Sequence, residues 1–100
     1  MDILLLLLFD SSEINVEQID GKYTKILLED YNTGDQYILS MSILWELLYA
    51  KGYIKLIQEA SYPHRLSNKK IIPRKQQVYR ISDKGKDYVN FKYPNIGKIP

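Results

Sequence analysis

The chain has 100 residues, 45% of them hydrophobic and 26% charged, with no cysteine, one histidine and a formal charge of +2. That length allows one small core burying roughly two thirds of the unfolded surface, while the composition is too apolar for a disordered tail and the longest apolar run too short for a bilayer span. Without cysteine there is no disulfide or thiolate site, and one histidine cannot supply a zinc site, so a soluble cytoplasmic protein without metal or cofactor is expected.

The first element is the run Asp2-Ile3-Leu4-Leu5-Leu6-Leu7-Leu8-Phe9-Asp10. It has Asp2 where a signal peptide carries a cation, and no small-residue cleavage site, so residues 2 to 10 read as a buried helix that Asp2 caps. A helix that is apolar all round needs cover on every side, and a second subunit is one source of it. Ile14-Asn15-Val16 then alternates as a short strand, and Asp20-Gly21 punctuates it. Over Lys22 to Tyr31 the spacing of Tyr23, Ile26, Leu27 and Tyr31 predicts a second helix, closed by the turn Asn32-Thr33-Gly34-Asp35.

A third helix is predicted from Ser40 to Lys51, with Ser40 as N-cap and Gly52 in the left-handed position beyond its end. Ile43, Leu44, Leu47 and Leu48 form its core stripe, which leaves Ser42, Trp45, Glu46 and Tyr49 nearer the surface. Trp45 has three readings: packing, a dimer contact or base stacking. Strand formers follow in Tyr53 to Gln58 and again in Gln77 to Ile81, and Ser82-Asp83 caps a last short helix ended by Tyr93-Pro94. Residues 1 to 94 read as one domain and 95 to 100 as a flexible tail.

Charge is divided unevenly along the chain. Residues 1 to 60 carry 10 acids and 4 bases, the remainder 2 acids and 10 bases. Between Ser61 and Ile81 stand Arg65, Lys69, Lys70, Arg74, Lys75 and Arg80 with no acid among them. Such a segment points to a polyanionic partner, the alternative being a solvated face that balances the acidic half. A connection this long between two strands is more often functional than idle. Chemistry is not expected from this sequence. It has no Gly-Lys-Ser/Thr phosphate loop, His64 lacks a nucleophile signature, and Glu29-Asp30 and Asp83 with Asp87 suit helix surface and cap positions better than a cleft.

Leu44-Trp45-Glu46-Leu47-Leu48-Tyr49-Ala50-Lys51-Gly52-Tyr53-Ile54 resembles the end of the recognition helix and the first wing strand of PadR-like and MarR-like regulators. Val78-Tyr79-Arg80-Ile81-Ser82-Asp83-Lys84-Gly85-Lys86 resembles their second wing strand and following helix, with Ser82 in place of the usual threonine. The resemblance covers roughly residues 20 to 90, and small winged-helix proteins of archaeal viruses and plasmids are similar in length and composition. It implies an α+β winged helix-turn-helix: a three-helix core, a small antiparallel sheet and wing, and a short C-terminal helix.

By that resemblance the protein is a DNA-binding transcriptional regulator. A recognition helix over about 40–51 enters the major groove, with Gln36, Tyr37, Ser40 and Ser42 at its leading end. A wing over about 61–76 places Arg65, Lys69, Lys70, Arg74, Lys75 and Arg80 on the phosphate backbone or in the minor groove. The partner is double-stranded DNA, bound by a homodimer joined through Ile3–Phe9 and the C-terminal helix, without membrane contact. The helix lacks arginine and lysine before Lys51 and carries Glu46, a departure that keeps two other readings open: a winged-helix module that binds protein, and a sequence-independent architectural DNA binder.

Overall fold

The computed structural model describes residues 2–39 and 43–95. In chain order these form α1 (Asp2–Asp10), β1 (Ser12–Ile19), β2 (Lys22–Asp30), β3 (Gln36–Ile38), α2 (Leu44–Ala50), β4 (Ile54–Arg65), β5 (Ile71–Ile81) and α3 (Asp83–Lys92). The strands make one antiparallel sheet in the order β3-β2-β1-β5-β4. Leu4, Leu5 and Leu8 of α1, Trp45 and Leu48 of α2 and Val89 of α3 share one core with Ile14, Val16, Ile26, Leu28, Ile54, Tyr79 and Ile81. All three helices therefore lie on one face of the sheet, and the other face is open.

This architecture overturns the winged helix-turn-helix expected from the resemblance. Strand residues outnumber helical ones, and the helices cover a sheet instead of forming the core of the domain. The decisive segment is Lys22–Asp30, a strand where helical spacing predicted a helix. Asp20 and Gly21 adopt φ of 55° and 77°, the left-handed pair of a two-residue hairpin turn that matches strand twist, and Ile19 pairs with Lys22 across it. A bulge between Glu17 and Gln18 shifts the register there, so that Tyr23 packs against the core along with Ile26 and Leu28. Apolar residues at positions 23, 26 and 27 thus fit a helix by count but a bulged strand by geometry.

The second correction concerns α2. Its inward residues are Trp45 and Leu48, while Ile43, Leu44 and Leu47 of the predicted stripe are 64%, 37% and 43% exposed. Trp45 decides the rotation, because its indole packs edge-on to Tyr23 at 5.5 Å and against Tyr79 at 5.2 Å. The edge and tilted contacts with both tyrosines add to the burial of the ring and hold it inward. Past α2, Gly52 takes φ of 78° as the chain leaves the helix. Ser82 caps α3 by accepting from the Gly85 N–H at 3.1 Å.

Part of the cover that α1 requires comes from its own chain, since it packs against α2, α3, β1 and β5, while Ile3 and Leu7 remain 76% and 45% exposed. Asp2 ties α1 to α3 directly. Its carboxylate accepts from Lys92 Nζ at 2.6 Å, Tyr93 Oη at 2.8 Å and Tyr88 Oη at 3.1 Å. Those donors pull the Asp2 carboxyl down to about 2, the Lys92 hydrogen bond most of all.

Candidate nucleic-acid interface

The segment read as a long basic loop, about Ser61 to Lys75, is mostly strand: β4 runs out to Arg65 and β5 returns from Ile71. Neighbouring support stops before its end. β5 pairs with β1 only from Arg74 to Tyr79, and the last contact is the Asp20 N–H donating to the Pro73 carbonyl at 2.8 Å. Beyond that, the pairs Pro63–Pro73, His64–Ile72 and Arg65–Ile71 and the turn Leu66 to Lys70 form a two-stranded arm with no third strand beside it among the described residues. At about 3.3 Å per residue β4 is roughly 40 Å long. It gives the molecule its longest dimension, 55 Å against 27 and 21 Å.

Local chemistry makes the arm stiff. The turn is closed by the Leu66 N–H to the Lys70 carbonyl at 2.8 Å and by the Lys69 N–H back to Leu66 at 2.9 Å, while Asn68 Oδ1 accepts from the Lys70 N–H at 3.0 Å. Counting pairs back from that closing bond puts Pro63 and Pro73 at a position where the ladder needs no N–H, so two prolines sit face to face without losing a bond. Their fixed φ angles stiffen both strands where the arm leaves the sheet.

The six predicted wing cations divide into two groups and a separate Lys75. Arg74 and Arg80 point to the open face of the sheet and are neutralised there by β1. Arg74 donates to Glu17 at 2.7 Å and Arg80 to Glu13 at 2.8 Å. Glu17 also accepts from Gln76 and Thr24, and the Arg74 bond chiefly holds its carboxyl below the usual range. The Arg74 guanidinium lies 5.6 Å from the Tyr62 ring and that of Arg80 4.7 Å from Tyr31. Arg65, Lys69 and Lys70 gather at the free end of the arm. No acidic partner touches them or Lys75 among the described residues, and Lys75 stands lower, opposite Gln18 and Ser61.

The predicted base-reading set is not assembled with the arm. Gln36 and Tyr37 belong to β3, at the edge of the sheet opposite β4, about 19 Å away across four strand spacings, and not at the leading end of α2. Ser40 and Ser42 lie outside the described residues. Gln36 donates to Glu29 at 3.3 Å as part of a groove of about 330 Å³ on the open face. Asn15 donates to the same carboxylate at 2.7 Å, so the groove's polar groups largely satisfy one another.

Sequence reasoning missed Glu13 and Glu17 as partners of the arm's arginines. The signal was present in Glu13-Ile14-Asn15-Val16-Glu17, whose alternation places both acids on one face of a strand. Tyr62 donates to Gln76 within the hairpin. No group of three or more His, Cys, Asp or Glu side chains suited to a metal ion occurs among the described residues, and no described helix is long and apolar enough to cross a membrane. Compared with known protein families, curated proteins and solved structures, the chain matches none.

Proposed function

We propose that the protein binds duplex DNA through the β4–β5 arm, whose cations neutralise phosphates while the ribbon follows a groove. The observation that carries this reading is the acid-free end of the arm. Arg65, Lys69 and Lys70 extend there from a stiff two-stranded ribbon, whereas the two arginines nearer the sheet already have carboxylate partners. A two-stranded ribbon fits a B-DNA major groove about 12 Å wide.

Phosphate contacts fix position without reading sequence, and α2 offers little to add. That helix has only seven residues and turns Glu46 and Leu47 outward. We therefore favour sequence-tolerant, architectural binding over operator recognition. Selection from a random-site library should return no motif.

The magnitude follows from the charge count. Three neutralised phosphates give a slope of log affinity against log salt of about −3 per arm, so raising salt from about 50 to about 200 mM should weaken binding roughly 40-fold. Replacing Arg65, Lys69 and Lys70 with alanine should bring the slope close to −1 or flatter, all duplexes being affected alike. Fluorescence anisotropy on a labelled duplex measures both. If the triple variant keeps the parental affinity and slope, the arm is not the contact surface and the reading fails.

A further inference from the structure

The sheet ends in two very different edges. β3 is three residues long, whereas β4 is twelve and among the described residues pairs only with β5, so half its main-chain groups face outward along one side. Exposed edges are normally blunted by shortness, lysine, proline or a bulge. In β4 those devices sit at the ends: Lys55 and the bulge at Ile57 below, Pro63 above. Between them Gln58, Glu59, Ala60, Ser61 and Tyr62 form a regular stretch without a cation or proline.

The ladder shows which groups point out. From the closing bond of Leu66 with Lys70, hydrogen-bonded and non-bonded pairs alternate, so His64, Tyr62, Ala60 and Gln58 direct their main chain to β5. Glu59 and Ser61 direct theirs away from it. The same parity turns the Pro73 carbonyl toward β1, where Asp20 meets it.

We propose that a second copy of this chain pairs with β4 along this edge, antiparallel and centred on Ala60, to join the two sheets into one. In that register Glu59 lies opposite Ser61 of the second copy, and each such pair exchanges both N–H···O bonds because all the groups involved face outward. Ala60 meets its own counterpart at the close, non-bonded position, where a small side chain is suited, and Gln58 stands opposite Tyr62 of the second copy. Each opposed pair has the same parity, so the helical faces continue into each other and the open faces do likewise.

Self-pairing is favoured over another extended partner because the stretch is complementary to itself. Within Gln58 to Tyr62 no like charges oppose, Glu59 facing a serine hydroxyl, and the one like-charged pair of this register, Lys55 with Arg65 of the second copy, falls at the ends of the strand beyond the bulge. The arms run in opposite directions, and with about seven residues from the axis to each tip the basic ends lie roughly 45 Å apart, well beyond the screening length of about 8 Å. The inference does not depend on DNA binding.

The absence of native cysteine makes the test clean. An antiparallel non-bonded pair brings Cα atoms to about 4.5 Å, within disulfide range. Ala60→Cys should therefore form an intermolecular disulfide under mild oxidation, while Lys69→Cys at the arm tip should not. Ser61→Pro removes an N–H that the hairpin does not use, so it should leave the circular dichroism spectrum unchanged and convert the dimer seen by sedimentation at tens of micromolar to monomer. A parent chain that stays monomeric above a hundred micromolar overturns the proposal, whatever else occupies the edge. So does a dimer that survives Ser61→Pro, or an Ala60→Cys chain that fails to cross-link; the last of these decides even if the proline variant does not fold.

Discussion

Gly85 occupies the third residue of α3, where alanine would ordinarily be better by about 1 kcal/mol on helix propensity. Tertiary packing reverses that preference. A Cβ at position 85 would lie 2.1 Å from the Tyr53 carbonyl oxygen and 2.8 Å from Ile81 Cγ1, the first a backbone atom that cannot rotate away. Accommodating it requires moving the start of α3 by about an ångström from the turn after α2, an overpacking cost of ~1–3 kcal/mol. That movement pulls on the Ser82 N–H to Tyr53 bond at 2.9 Å and the Ser82 hydroxyl bond to the Gly52 carbonyl, each worth ~1 kcal/mol. Weighed against the propensity gain, Gly85→Ala should destabilise by ~2 kcal/mol, which for a domain of this size lowers the melting midpoint by roughly 8 to 16 °C. Thermal unfolding followed by circular dichroism measures it. A midpoint equal to or above the parent's would show that propensity dominates and that the Tyr53 contact does not position α3.

Trp45→Ala should cost ~3–5 kcal/mol, because the indole is 3% exposed and its removal opens a hole between Tyr23 and Tyr79; urea unfolding should show the loss in the midpoint. Asp2 in the folded chain titrates near 2, below its ordinary 3.8, so its charged form stabilises the fold above about pH 4 and the contribution disappears as the pH falls through 2. Asp2→Asn should therefore melt earlier than the parent at pH 7 and together with it near pH 2, and equal midpoints at pH 7 would refute the clasp between α1 and α3.

Much of this molecule is decided locally and can be read from the chain. The leucine run of α1, the glycine beyond α2, the serine cap of α3 and the strand formers flanking the basic segment each depend on residues within a few positions, and the structure contains all of them. The hairpin at Asp20-Gly21 was equally local, but the helical spacing of Tyr23, Ile26 and Leu27 competed with it. The choice fell to strand because β1 offered the segment a bonded partner and a core shared by Tyr23, Ile26 and Leu28, while Leu27 turns to the other face. The rotation of α2 was beyond local reasoning, since Tyr23 and Tyr79, which hold Trp45 inward, are distant in sequence. The same holds for the candidate interface. Composition shows six cations without an acid between Ser61 and Ile81, yet Glu17 meets Arg74 from 57 positions away and Glu13 meets Arg80 from 67. Charge is a property of residues and is fixed by the sequence, whereas neutralisation is a property of distance. Only the pairing of β1 with β5 separates the cations that are bound internally from those left at the end of the arm.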